Sequence, residues 1–283
     1  MQIQWYPGHM AKAKRLLTDQ LGRVDVAVEL CDARLPYASR NPDLDALLRG
    51  KKRLLVLNKA DLADEAETKR WVYRFQRAGL EAFAFDAVRG QAKTAVKRIE
   101  AIMTEEVARQ AVRGVRKTVR AMVAGVPNVG KSTFINRLNG AAVTVTGDRP
   151  GVTRANRWVR VGPYLELLDT PGLLWPRLDD TRAAERLAWL GTIRDEILDT
   201  QALAVSLLET LMRVRPQAAR ERFRIGQDGL SGHALLEAVC QGRGFLMAGG
   251  AYDTERAAAV ALDEFRAGRL GRMTLESATE ERP

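Results

Sequence analysis

Gly125-Val126-Pro127-Asn128-Val129-Gly130-Lys131-Ser132 decides the reading of this chain. The segment fits G-x-x-x-x-G-K-[ST], and it stands in the context that pattern needs. Val119 to Ala124 ahead of it reads as a buried strand, and Lys131 to Leu138 behind it reads as an amphipathic helix. The spacing follows from chemistry. Glycines let backbone amides turn inward around a phosphate chain, and the helix N-terminus adds its dipole. The lysine reaches the β- and γ-phosphates, and the serine hydroxyl ligates Mg²⁺. Asn128, Val129, Gly130, Lys131, Ser132 and Thr133 are therefore expected around the phosphates, with Ser132 on the metal.

Two segments further along extend the same site. Leu167-Leu168-Asp169-Thr170-Pro171-Gly172 is an apolar strand ending in Asp-x-x-Gly. Asp169 is expected to hold Mg²⁺ through water, and the Gly172 amide to approach the γ-phosphate. Between them lies Arg149-Pro150-Gly151-Val152-Thr153-Arg154. Thr153 is placed to add a second hydroxyl to Mg²⁺ when the triphosphate is bound; a plain turn is the other reading of this loop.

Upstream, the apolar run Arg53 to Leu57 ends at Asn58-Lys59-Ala60-Asp61. A carboxylate at Asp61 can accept from both the N1–H and the N2–H₂ of guanine, a pair of donors that adenine lacks. Asn58 is expected to touch the base edge and brace the phosphate loop, and the Lys59 stem to cover the ring. Asp86-Ala87, after the run Ala82 to Phe85, is expected to bring a backbone amide to the guanine carbonyl. The nucleotide implied is GTP. GTPases usually carry the phosphate loop first and the base segment later; here the base segment comes first. Loops that share one sheet edge can be rejoined elsewhere along the chain without moving in space, so the order implies a circular permutation.

The remaining pattern gives the fold class. Val26 to Cys31 is a further strand, and Trp158 to Val161 with Tyr164 to Leu168 reads as a hairpin through Gly162-Pro163. Helices are expected at Pro42 to Leu48, capped by Asn41, and at Ala66 to Ala78, ended by Gly79. The expectation is an α/β chain: a circularly permuted P-loop GTPase domain over residues 1–178, with a doubly wound, mostly parallel sheet, and a C-terminal helical domain over 179–283. In the second part Thr200 and Asp253 are read as helix caps. Arg213, Arg215, Arg220, Arg222 and Arg224 form a lightly countered basic run, which is either an anion-binding face or a solvated one.

The 283 residues carry a formal net charge of +10, with 46% hydrophobic and 28% charged residues. That surplus points to a polyanionic partner such as nucleic acid, or to a solubilising surface. Cys31 and Cys240 have neither disulfide-framework nor metal-ligand spacing, so no disulfide partner is expected. With only His9 and His233, a histidine-based metal site is not expected either. No apolar stretch reads as a signal peptide or a membrane span, which leads to the expectation of a cytoplasmic monomer with no membrane partner.

Gln4-Trp5-Tyr6-Pro7-Gly8-His9-Met10-Ala11-Lys12-Ala13, Asp32-Ala33-Arg34-Leu35-Pro36, the permuted motifs and Asp263-Glu264-Phe265-Arg266-Ala267-Gly268-Arg269-Leu270-Gly271 together resemble the YlqF/RbgA ribosome-biogenesis GTPases. The resemblance covers essentially the whole chain. It departs at Asp86, where the family more usually has serine, and at Ala92, where it often has glycine. It implies a GTP hydrolase that acts as a switch in late assembly of the large ribosomal subunit, with GTP and GDP as ligands and the precursor particle and its rRNA as partners. A GTP-gated RNA-binding scaffold with incidental hydrolysis is the alternative. Leu173 stands where many GTPases place a catalytic glutamine, and an apolar side chain cannot hold water. His9, after a Pro7-Gly8 turn and at the start of a helix containing Ala11 to Leu17, is the catalytic candidate; the matching histidine of the family is implicated in hydrolysis, and the bland alternative is a helix cap. Related GTPases with asparagine at the Asn128 position often use K⁺ beside the phosphates, whereas a turn asparagine is the simpler reading.

Overall fold

The apolar runs read as strands all join one six-stranded sheet in the computed structural model, which describes residues 7–142, 144, 157–174 and 181–280, those at 7–11 and 13 by backbone alone. In chain order the elements are α1 (Pro7–Thr18), β1 (Val26–Asp32), α2 (Asp43–Leu47), β2 (Lys52–Asn58), α3 (Glu65–Arg77), β3 (Glu81–Ala84), α4 (Ala92–Ile102), α5 (Thr104–Val112), β4 (Val119–Ala124), α6 (Lys131–Asn139), β5 (Arg157–Val161) and β6 (Leu165–Asp169). Five helices follow: α7 (Thr181–Trp189), α8 (Thr200–Val214), α9 (Pro216–Phe223), α10 (His233–Arg243) and α11 (Thr254–Arg266).

The strands lie in the order β3-β2-β1-β4-β6-β5. All are parallel except β5, which runs antiparallel to β6. β1 is buried at every position, as a central strand covered on both faces must be. Its alternate residues serve two cores. Val26, Val28 and Leu30 pack with Ala95 and Ile99 of α4 and Phe134 and Ile135 of α6. Ala27 faces the other way, toward Leu17 of α1 and Leu44 of α2, and Cys31 toward Trp71 and Phe75 of α3. From β1 the chain works outward to β2 and β3; after β4 it goes to the edge strand β5 and returns as β6 between the two. The strand order therefore reverses between β1 and β4, and the crevice at their carboxyl ends is where such sheets hold ligands.

Several element boundaries differ from the sequence expectation. α1 starts at Pro7, so Pro7-Gly8 belongs to the helix rather than to a turn before it; proline suits a first helical turn, where its missing N–H has no intrahelical partner anyway. Thr200 is the first residue of α8, and its cap is Asp199, which accepts from the Ala202 N–H at 2.9 Å. α2 begins at Asp43 with Pro42 in the cap position, so Asn41 stands one residue ahead of the expected cap, although its Oδ1 accepts from the Asp43 N–H at 2.9 Å. Asp253 caps α11 through the Arg256 N–H at 3.0 Å. α4 and α5 escaped the pattern reading because they bury little: Ala95 and Ile99 in α4, and no residue fully in α5.

α7 to α11 enclose a second core that includes Trp189, Leu207, Leu211, Phe223 and Phe265. The arginine run is more heavily countered than its sequence implies. Arg215 pairs with Asp64, Arg220 with Asp228 and Arg222 with Glu264. The final described residues are not helical and return to the sheet side. Met273 N–H donates to Leu62 O at 3.0 Å and Leu275 N–H to Arg34 O at 2.9 Å, while Trp71 Nε1–H donates to Glu276 O at 3.0 Å. Among the described residues no helix is long and apolar enough to cross a membrane.

Candidate guanine-nucleotide site

Parallel strands bring the loops after β1, β2, β3, β4 and β6 to one edge of the sheet. The segments expected from the sequence to read the base and the phosphates, far apart along the chain, are joined there by direct bonds. Asn58, at the end of β2, donates through Nδ2 to Val129 O of the phosphate loop at 2.8 Å. Its Oδ1 accepts from the Ala87 N–H at 3.1 Å. One amide thus ties the 58–61, 86–88 and 125–132 segments together. Lys59 Nζ donates to Asn128 O at 2.7 Å and pairs with Asp32 at 3.3 Å. The Lys59 and Asn128 backbones both sit in the left-handed region, at φ 58° and 62°. Non-glycine residues adopt it at a cost, and such strain concentrates at functional loops.

Gly130 is required twice over. Its φ is +91°, and a Cβ there would lie 2.5 Å from Asn58 Nδ2. A Cβ on Gly172 would lie 2.7 Å from the Pro127 nitrogen, so the Asp-x-x-Gly turn packs directly on the phosphate loop. Leu173 N–H then donates to Gly125 O at 3.1 Å.

The metal position can be judged from polar atoms. Ser132 Oγ donates to Asp169 Oδ2 at 3.0 Å. The other oxygen of that carboxylate, Oδ1, is buried with no hydrogen-bond partner among the described residues, although buried polar atoms are normally satisfied. An orphaned carboxylate oxygen beside a serine hydroxyl fits Mg²⁺, which binds through few protein oxygens, water and phosphate. When bound, it would neutralise charge on the β- and γ-phosphates. Burial raises the Asp169 carboxyl above its ordinary range, against the pull of Ser132 and Lys131. Burial likewise lowers the Lys131 ammonium to about 8, with Asp169 opposing. Lys131 Nζ donates to Val126 O at 2.8 Å, inside the loop whose amides would ring the phosphates. Each group is poised for charge of the opposite sign to its own.

The base side carries one surprise. Asp86 folds back on its own turn, with Oδ1 accepting from Val88 N–H at 2.7 Å and Arg89 N–H at 3.0 Å. It remains close enough to Asp61 to matter. Burial first, then the Asp86 charge, raises the Asp61 carboxyl. Leu173 is 2% exposed and packs with Leu17 and Leu168, so the position of the usual glutamine is taken into the core. Thr153 lies outside the described residues. His9 lies in the first turn of α1, and its side chain is also outside the description.

Sequence reasoning assigned no job to the loop after β1. Asp32 is fully buried and holds Arg34 through three contacts, accepting from its backbone N–H at 3.0 Å and Nε at 3.0 Å on Oδ1 and from Nη2 at 2.8 Å on Oδ2. Burial alone would raise the Asp32 carboxyl; the Arg34 and Lys59 charges outweigh it and hold it well below the usual range. Arg34 also caps the end of α11, donating through Nη1 to Phe265 O at 2.7 Å. The Asp-x-Arg spacing is visible in the sequence, but its partners are not.

A 50S ribosome-binding GTPase model matches residues 120–220. Ribosome biogenesis GTPase A of Bacillus cereus is 43% identical over 282 residues, which span 99% of this chain and 95% of that protein. This chain belongs to the ribosome biogenesis GTPase A family. The member from Thermotoga maritima is 31% identical, across 97% of this chain and 94% of its own length. The crystal structure of GNP-bound YlqF from T. maritima superposes with a TM-score of 0.71 at 28% identity, covering 95% of this chain and 99% of that one. The family resemblance read from the opening, permuted and closing motifs is therefore correct. The chain is a GTP hydrolase of ribosome biogenesis with a permuted, mostly parallel GTPase sheet, and Mg²⁺ is the metal such GTPases generally use.

Proposed function

We propose that this GTPase acts late in assembly of the large ribosomal subunit, binding the precursor particle and its rRNA in the GTP form and leaving after hydrolysis. The observation that carries the nucleotide half of this reading is the Asn58 bridge, with Nδ2 on Val129 O at 2.8 Å. It sets a guanine-reading segment and a phosphate-reading segment at a fixed separation. In this reading Asn58, Lys59, Asp61, Asp86 and Ala87 surround the base. Asn128 to Thr133 and Gly172 surround the phosphates, and Ser132, Thr153 and Asp169 hold Mg²⁺. Residues 1–178 are the GTPase domain and 179–283 the rRNA-binding domain of a cytoplasmic monomer. The test is co-sedimentation with large-subunit precursors. Binding with a non-hydrolysable GTP analogue and release with GDP is expected; equal binding in both forms would favour an RNA scaffold whose hydrolysis is incidental.

Two finer assignments belong to the same reading. His9 orients the attacking water, and K⁺ sits beside Asn128 to offset charge in the transition state. The support for His9 is that Leu173 is withdrawn into the core and that α1 is anchored by Leu17 in the same apolar cluster. A positioned proton-handling group typically contributes about 10²–10⁴-fold. Single-turnover hydrolysis with subunits should fall at least roughly tenfold in His9→Ala with nucleotide affinity unchanged. The same assay run in KCl and in NaCl should be faster in KCl. A wild-type rate in the variant would reduce His9 to a helix residue, and equal rates in the two salts would leave Asn128 as a turn residue.

A further inference from the structure

A cleft of about 400 Å³ opens where the end of α9, the end of α10 and the chain after α11 meet. Four arginines line it: Arg222, Arg224, Arg243 and Arg269. Against them stand Glu221 on the wall and Glu264 behind, so four positive and two negative groups leave the cleft net positive.

The cleft is built rather than accidental. A Cβ on Gly242 would lie 2.5 Å from Arg224 O and 2.7 Å from Phe223 O, so only glycine lets α10 lie this close to the end of α9. Arg224 ends α9 with φ 57° and ψ 41°, a left-handed residue that turns the chain at the rim. Glu264, 3% exposed, accepts from Arg222 Nε at 2.8 Å, Arg222 Nη2 at 2.7 Å and Arg243 Nη2 at 3.1 Å. Arg243 Nη1 also donates to Arg222 O at 3.0 Å. Two guanidiniums are thereby fixed in orientation, and less side-chain entropy is lost when they meet a ligand. Arg224 and Arg269 are exposed and make no ion pair among the described residues.

An apolar loop lies next to this charge. Phe245, just after α10, sits under Arg243 at 5.8 Å and Arg256 at 4.5 Å. Beyond it Leu246, Met247 and Tyr252 are 54%, 58% and 41% exposed. Fixed guanidiniums suit a phosphodiester, and an exposed aromatic and apolar loop beside them suits the face of an unstacked base. A continuous duplex hides its base faces and would use only the charge.

We propose that this arginine cleft clamps the backbone phosphate of an RNA loop or bulge, with an unpaired base resting on the Leu246–Tyr252 loop. The proposal rests on the reading of residues 179–283 as the RNA-binding half, and it deepens that reading by naming the class of RNA. The test is fluorescence anisotropy on the full chain, with a labelled RNA hairpin and a fully paired duplex of equal length. Arg224→Asn with Arg269→Gln should weaken hairpin binding at least about tenfold and flatten the dependence of log affinity on log salt by about 1.4, at roughly 0.7 per single-strand contact; asparagine tolerates the left-handed position. Tyr252→Ala should weaken the hairpin and leave the duplex unchanged. Circular dichroism checks that the variants fold. Wild-type affinity and slope in the double variant, or displacement of the hairpin by inorganic phosphate beyond that caused by chloride at equal ionic strength, would overturn the cleft. Equal loss on both RNAs with Tyr252→Ala would overturn the unpaired base. Failure of the wild-type chain to bind either RNA at low salt would instead sink the RNA-binding reading beneath it.

Discussion

In the proposed reading Asp61 distinguishes guanine only as a carboxylate, because only the ionised group accepts two hydrogen bonds without offering a proton of its own. Burial and the nearby Asp86 charge both raise its pKa. As pH falls it therefore loses charge earlier than an ordinary aspartate, and affinity for GTP should fall with it. Asp86→Asn removes the repulsion while its Oδ1 can still accept from Val88 and Arg89. The variant should hold GTP better than the wild type at acidic pH, with the difference fading as pH rises toward neutrality. Nucleotide titrations across that range check it, and parallel curves would show that the two carboxylates do not interact. The segments around Asp61 and Lys131 were legible because each motif is contiguous: a strand end followed by four to eight residues of fixed chemistry. Asp86 was legible as a position and not as a neighbour of Asp61, since a through-space distance of this kind leaves no trace in either segment.

Strand elements were read within a residue or so because period-two burial and short apolar runs are local properties. β4 was read in full, and β2 was missed only at Lys52 and Asn58. The return of the chain after α11 was not legible, since Met273, Leu275 and Glu276 form no periodic pattern; apart from Arg186, the partners they meet lie more than 200 residues away. Glu276 is the buried anchor of that return. Its carboxylate accepts from Tyr37 N–H at 2.6 Å, Ala38 N–H at 3.1 Å and Arg186 Nη1 at 3.0 Å. Burial nonetheless pushes it up to about 7, with Arg186 and the two amides pulling the other way. A glutamate with a folded pKa above its unfolded value binds more protons folded than unfolded. Its contribution to stability is complete below about pH 4.5 and is lost as pH rises through about 7, by at most about 3.5 kcal/mol. Thermal unfolding from pH 5 to 7.5 should show a falling Tm in the wild type and a flatter profile in Glu276→Gln. Identical slopes would mean that Glu276 stays ionised throughout, held by its three donors.

At the scale of the whole molecule, the nucleotide edge and the helical half are joined through the loop after β1. Lys59 pairs with Asp32, Asp32 with Arg34, and Arg34 caps α11 at Phe265 O and Arg266 O. Leu35, fully buried, belongs to the core of the helical half. Asn128 of the phosphate loop donates to Gly191 O, just past α7. Arg34→Ala would leave the buried Asp32 carboxylate with Lys59 as its cationic partner and the residue-34 backbone N–H as a donor, and would remove the side-chain donor from Phe265 O and Arg266 O at the end of α11. Breaking a buried pair by removing one partner costs roughly 3–5 kcal/mol. Denaturant unfolding should show that loss, with Asp32→Ala and Arg34→Met together losing less than Arg34→Ala alone. A single-variant loss below about 1 kcal/mol, the scale of an exposed pair, would show that the two halves are not joined here.

What the sequence by itself determined was the GTPase class, the permuted order of its motifs, and through them the family. Those features are local, because a nucleotide is held by short loops whose residue types are set by the atoms they must meet. What only the tertiary structure decided was how the chain is tied together. The Asn58 bridge to Val129, the packing of Leu173 against Leu17, the countering of Arg215 and Arg222, and the return of Glu276 beneath Tyr37 all join residues distant along the chain. Such contacts depend on which faces meet when the sheet and helices pack, and burial, not local pattern, sets their strength.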